Sequence, residues 1–360
     1  MGRKNKSYRK DLKTQAHERL TTMLSAGEGT SKHEAEKDGT AAEKIFSYST
    51  FHDYKKHVKY FIDYIQEHHP ECTTLKAARR YVTEYLQYRV DQTDSQGNHL
   101  SASTITLDRA SLNKLFGITP DDPDFFQAPK RRRQDYTRSR LPAERDKHFS
   151  EANNAEFIAF CRGTGCRRQV IEKLEGRDFY TREMMEDAVS ALQAKTVLLP
   201  EDKTDLADLK DALSVFPDQE YFLHHRNDKG GRACYAPIIG PAAAQIIERM
   251  QATGANEKVW QHVPTNADIH AYRSDYATAV YRLYARPIEE IPYDRVNKGS
   301  GRRYQSGVYS CRRDEKGKKL DKAAMLKASK ALGHNRIEVV ANHYIRGFIA
   351  TLLSLRTLFI

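Results

Sequence analysis

Cysteine is scarce. The five residues, Cys72, Cys161, Cys166, Cys234 and Cys311, are odd in number, scattered, and never spaced as Cys-x-x-Cys. That distribution disfavours a disulfide framework and a zinc module, and it fits reduced thiols in a cytoplasm. Long apolar runs are also missing. No stretch approaches the roughly 18 uncharged apolar residues of a membrane span, so no membrane partner is expected. The opening MGRKNKSYRK is followed by no apolar core, so a secretory leader is not expected either. Nor does the chain contain a Gly-x-x-x-x-Gly-Lys-Ser/Thr phosphate loop, a His-Glu-x-x-His pair, a Cys/His metal spacing, or an obvious acidic cluster for two-metal phosphate chemistry. No internal repeat stands out.

Positive charge is abundant. Lys and Arg number 59 against 48 acids in 360 residues, a net charge of +11. The excess is concentrated. Residues 1–20 hold seven Lys/Arg against two acids, residues 128–148 hold eight against three, and residues 295–319 hold nine against two. Clusters of this kind are the electrostatic footprint of nucleic-acid binding, because each Lys or Arg on a phosphate releases a counterion. The alternative is a solvated surface that happens to be basic.

The length suggests two domains. Residues 1–45 read as a basic extension, helical near Leu12–Leu24, followed by the linker-like SAGEGTSKHEAEKDGT. Three helical patterns then make a small bundle at 46–120. The first carries Phe51, Tyr54, Val58, Phe61, Ile62 and Ile65 behind Ser49/Thr50. The second carries Leu75, Ala78, Val82, Tyr85 and Leu86 behind Thr74, and the third Ile105, Leu112, Leu115 and Phe116 between Ser101 and Gly117. A basic interdomain linker follows at 121–148, and a larger domain fills 149–360. There, EANNAEFIAFCRGTG and CRRQVIEKLEGRDF read as helices, and residues 181–216 as a charged helical insertion. EYFLHHR and RACYAPII flank a turn near Asn227–Gly231 as a β-hairpin. Helices are also expected after Pro241, over 266–284 and over 322–332, with an apolar helix at the end.

The order of four short boxes in the larger domain is informative. Thr164-Gly165-Cys166-Arg167 sits at a helix junction, and Lys229-Gly230-Gly231-Arg232 at the hairpin tip. Tyr309-Ser310-Cys311-Arg312 precedes a basic segment, and Leu332-Gly333-His334 leads to Tyr344. In this order they resemble the catalytic boxes of the tyrosine recombinase (phage integrase) family, over about 150–350. The fold that the resemblance implies is mainly α with a small β-sheet: a SAM-like helical core-binding domain, then an α+β catalytic domain.

The resemblance implies site-specific DNA recombination without metal, ATP or other cofactor, through a covalent 3′-phosphotyrosine. Tyr344 is then the nucleophile, Arg167 and Arg312 the phosphate clamps, Lys229 the general acid, and His334 a donor to a phosphate oxygen. The residue types suit that chemistry. Guanidinium forks neutralise the charge that grows on the non-bridging oxygens, and a phenol with an ordinary pKa near 10 needs a cationic pocket or a base to attack. The family's second box is usually His-x-x-Arg; Tyr309 stands in the His place here, which leaves the general base unassigned. Lys130, Arg131, Arg132, Arg133, Arg138, Arg140 and Arg313 are expected on phosphates. The implied partners are double-stranded DNA, further copies of the chain in a tetramer on paired sites, and an accessory DNA-bending protein, in a bacterial nucleoid-associated cytoplasmic setting. The apolar tail either completes its own core or docks on a neighbouring copy. Two alternatives stand beside this: a catalytically weakened, integrase-like DNA-binding protein, favoured by Tyr309, and a relaxing enzyme like the type IB topoisomerases, disfavoured by the apolar tail.

Overall fold

A computed structural model describes residues 10–131, 149–226, 233–312 and 316–345. The chain is mainly helical with three small antiparallel sheets. It divides into two compact units, Met1–Asp135 and Tyr136–Ile360.

The first unit is all helix: α1 (Leu12–Gly27), α2 (Lys32–Lys37), α3 (Tyr48–His68), α4 (Leu75–Ala78), α5 (Val82–Asp91) and α6 (Ala102–Phe116). Side-chain caps begin five of them: Asp11 for α1, Ser31 for α2, Ser47 for α3, Thr74 for α4 and Ser101 for α6 each accept a backbone N–H three residues on. α3 thus starts ahead of the expected Ser49/Thr50 cap. Gly117 ends α6 in the left-handed conformation, φ 65°.

The segment at 1–45 that reads by composition as extension and linker contributes to the core from Leu12 onward. Leu12, Ala16, Leu20, Met23 and Ile45 are buried with Phe61, Ile65, Leu86, Leu112 and Leu115. The Lys114 ammonium fixes the supposed linker by donating to the carbonyls of Ala41, Ala42 and Lys44 at 2.8, 3.0 and 3.2 Å.

The second unit contains α7 (Ala155–Thr164), α8 (Arg168–Ile171), α9 (Arg182–Ala194), α10 (Pro200–Val215), α11 (Ala243–Ala252), α12 (Ile269–Tyr284), α13 (Lys322–Ala331) and α14 (Ile337–His343). The strands β1 (Phe179–Thr181), β2 (Tyr221–His225) and β3 (Cys234–Pro237) form one antiparallel sheet in that order. β2 and β3 are the expected hairpin, in register from Phe222↔Pro237 to His225↔Cys234; its tip lies outside the described residues.

The helix expected over CRRQVIEKLEGRDF is shorter than its pattern suggests. α8 stops at Ile171, and a few residues on the chain passes close to another backbone: a Cβ on Gly176 would lie 2.3 Å from the Thr253 carbonyl oxygen.

α12 is the central strut. Ile269 and Tyr272 belong to the core built with α7 and α11, while Tyr276, Ala277, Val280 and Tyr281 belong to the one built with α13 and α14. Between α12 and α13 the chain forms two further ribbons, β4 (Arg295–Val296) with β5 (Arg303–Tyr304), and β6 (Val308–Ser310) with β7 (Lys319–Asp321). Among the described residues no helix is long and apolar enough to cross a membrane.

Candidate active site

The Thr-Gly-Cys-Arg box is a tight turn between α7 and α8. Gly165 caps α7 at φ 61°, and a Cβ there would run into the Tyr276 ring at 2.2 Å, so both conformation and space require glycine. Thr164 is buried with its hydroxyl on the Phe160 carbonyl. The two arginines that follow divide their roles. Arg168 donates to the carbonyls of Pro264, Thr265 and Ala267 at 2.9, 3.1 and 3.1 Å, fixing the loop before α12. Arg167 is half-buried, and its guanidinium meets Nε2 of His334 at 3.2 Å. A guanidinium can only donate, so Nε2 is the acceptor in this contact.

His334 is carried by an equally specific turn. Gly333 takes φ 67°, and a Cβ on it would lie 3.1 Å from the Cys234 sulfur at the start of β3. The backbone N–H of His334 donates to the Ser329 carbonyl at 2.8 Å, closing the end of α13. Tyr344 follows at the end of α14, 6% exposed. Its ring centroid is 5.7 Å from that of His334 and 5.3 Å from that of His270.

The Arg273 guanidinium carbon lies 5.7 Å from the centre of the Tyr344 ring. Arg273 is 1% exposed and has no carboxylate partner among the described residues. Its Nη1 donates to the Gly165 carbonyl and its Nη2 to that of Leu332 at 2.6 Å. It therefore ties the turn bearing Arg167 to the turn bearing His334. Its Nε is buried without a hydrogen-bond partner among the described residues. A buried cation held only by neutral carbonyls is costly to stability, and such costs concentrate at working sites.

His270-Ala271-Tyr272-Arg273 matches the His-x-x-Arg form of the second box, on one turn of α12. Tyr309 is on β6, paired with Leu320 and packed against the core, and Arg312 is exposed just past that strand, without a hydrogen bond or ion pair among the described residues. The structure thus groups Arg167, His334 and Tyr344 with His270 and Arg273; among the described residues no contact joins Arg312 to them. A sequence signal for Arg273 existed. It starts the apolar stripe of Tyr276, Ala277 and Val280 at i+3, i+4 and i+7, so a helix across this segment has to bury it.

Lys229 lies outside the described residues, as do Arg132, Arg133, Arg138, Arg140 and Arg313. The stem that carries Lys229 is described: His225, at the end of β2, is buried with its Nε2 3.2 Å from the Cys166 sulfur, so the stem touches the Arg167 turn. Lys130 and Arg131 are exposed. Tyr276 is a different kind of tyrosine. Burial pushes its pKa well up, and its hydroxyl donates to the Pro237 carbonyl at 2.7 Å, so it remains a neutral packing group.

No family model matches the chain, and a search of curated proteins finds no significant match.

Proposed function

We propose that the chain is a tyrosine-type site-specific DNA recombinase. The observation that carries this reading is the convergence of Tyr344, His334, Arg167, His270 and Arg273, drawn from three separate stretches of sequence, around one phenol. Two cationic or hydrogen-bonding groups, Arg167 and His334, approach to 3.2 Å, an arrangement suited to a phosphate oxygen held by both. Arg273 provides a second guanidinium beside the nucleophile, in a water-poor setting where its field is strong.

In the proposed step the Tyr344 oxygen attacks the scissile phosphorus. The bond to the 5′-oxygen breaks, and that oxygen takes a proton from Lys229. The phenol's own proton passes to His270 or to water, which supplies a candidate for the base that Tyr309 could not be. The 3′-phosphotyrosine conserves the bond energy, so attack by a 5′-hydroxyl rejoins strands without ATP. Arg131 and its neighbours in the basic linker would hold duplex phosphates, and a tetramer on paired sites would supply the second pair of strands. The non-catalytic alternative drew on Tyr309; His270 beside Tyr344 supports the catalytic reading instead.

A nicked suicide duplex bearing the cognate recombination site tests the reading. Wild type is expected to form an SDS-resistant protein–DNA adduct and Tyr344→Phe none. Wild type without an adduct overturns it, and adducts formed equally on any supercoiled DNA would move the assignment to a relaxing enzyme.

A further inference from the structure

The ribbon β4–β5 has no part in the site described above. Every residue from Pro292 to Tyr304 is exposed. From Arg295 to Tyr304 the chain holds Arg295, Lys298, Arg302 and Arg303 and no acid, and none of the four makes an ion pair among the described residues. The nearest acid in sequence, Asp294, is already engaged: it accepts from the Ser306 hydroxyl and from the Ser306 N–H at 2.7 Å. Arg295, Val296, Asn297, Lys298 and Tyr304 line an open groove.

The tip is ordered rather than slack. Asn297 accepts from Ser300 and Gly301 and donates to Arg302, and its side chain accepts from Gly299 at 3.0 Å. The base is pinned. Gln305 donates to the carbonyls of Ile288 and Ile291 at 2.9 and 2.5 Å, and the Lys322 ammonium donates to that of Ser306 at 2.6 Å. Lys322 opens α13, the helix that leads into the turn bearing His334, so the ribbon is fixed to an element of the candidate site.

We propose that this ribbon is a duplex-gripping arm, in which Arg295, Lys298, Arg302 and Arg303 bind backbone phosphates of DNA flanking the cleaved position. The proposal rests on the DNA-processing reading of the site. Four unpaired cations on a fixed, wholly exposed two-stranded ribbon fit a polyanion, and a ribbon of this width is one of the elements that a DNA groove admits. The contacts are sequence-independent, because nothing except phosphate charge is needed to hold them.

The test compares wild type with Arg295→Ala/Lys298→Ala/Arg302→Ala/Arg303→Ala, in which all four changes are on the surface. Binding to a non-cognate duplex is measured between about 50 and about 200 mM salt. Wild type is expected to give a steep log–log plot. The variant's slope is expected to fall by about 3 to 4, at about 0.9 per phosphate contact, while its thermal unfolding midpoint and its Tyr344 adduct on a saturating suicide duplex persist. Equal slopes with wild type still binding and forming adduct overturn the arm and leave the recombinase reading intact. Wild type that binds no duplex, or binds with a flat salt plot, overturns both.

Discussion

Arg273 and Arg312 are both preceded at three residues by a ring side chain, His270 and Tyr309, so spacing alone cannot separate them. Burial can. Arg273 is enclosed, with two backbone carbonyls on its fork, whereas Arg312 is solvated. Lysine keeps the charge but cannot span two acceptors in one plane. Arg273→Lys is therefore expected to lower the rate of adduct formation by about 100-fold or more, the scale of losing one charge-stabilising donor. Arg312→Ala is expected to leave it within about threefold, as for a surface side chain outside the site. Equal losses in single-turnover assays of the two would return the second clamp to Arg312.

Much at this scale was legible. Arg167, His334 and Tyr344 carry short, glycine-marked signatures whose geometry follows from left-handed turns at Gly165 and Gly333. His270 and Arg273 were harder to see because they sit inside a long helix that reads first as packing. A Tyr-rich basic stretch at the next ribbon also offered the same spacing.

At the scale of the element, the junction of β7 with α13 rests on one carboxylate. Asp321 is fully buried. It accepts from Arg286 Nε at 2.8 Å, Nη2 at 3.1 Å and the backbone N–H at 3.2 Å, and it caps α13 through Ala323 N–H at 2.9 Å. Burial alone would raise its pKa, but the hydrogen bonds from Arg286 and Ala323 outweigh that and hold it below the usual carboxylate value. The sign follows. A depressed folded-state pKa means that the stabilisation is present above the unfolded value, about 3.9, and is lost as pH falls through the lower folded value. Asp321→Asn is expected to cost about 2–3 kcal/mol at neutral pH, the scale of hydrogen bonds to a charged group, and to flatten the acid limb of stability. Chemical unfolding from pH 7 downward checks this; an unchanged acid limb would assign that limb to other carboxylates. This cluster is not legible from sequence, since strands of two or three residues carry no periodicity to read.

At the scale of the whole molecule, the first unit's core among the described residues is drawn from Leu12 through Ile118. A fragment of residues 1–135 is expected to melt cooperatively as a helical protein. Removal of residues 1–45 is expected to abolish that transition, because Leu12, Leu20, Met23 and Ile45 each account for about 1.5–3 kcal/mol of burial. Circular dichroism melts of both fragments decide it: a cooperative melt after the deletion would return those residues to the status of an appendage. Composition misled here because the acidic and glycine-rich stretch at 25–40 looks like linker, while the few apolar side chains on either side of it do the packing.

The double grip of Arg273 also bears on when the pocket comes into being. One acceptor belongs to Gly165 and the other to Leu332, so this arginine is fully housed only after nearly all of the second unit has left the ribosome. A chain interrupted between Tyr284 and Leu332 holds the first turn and the strut but cannot close the staple. The pocket around Tyr344 therefore closes only when two turns far apart in the chain have both folded.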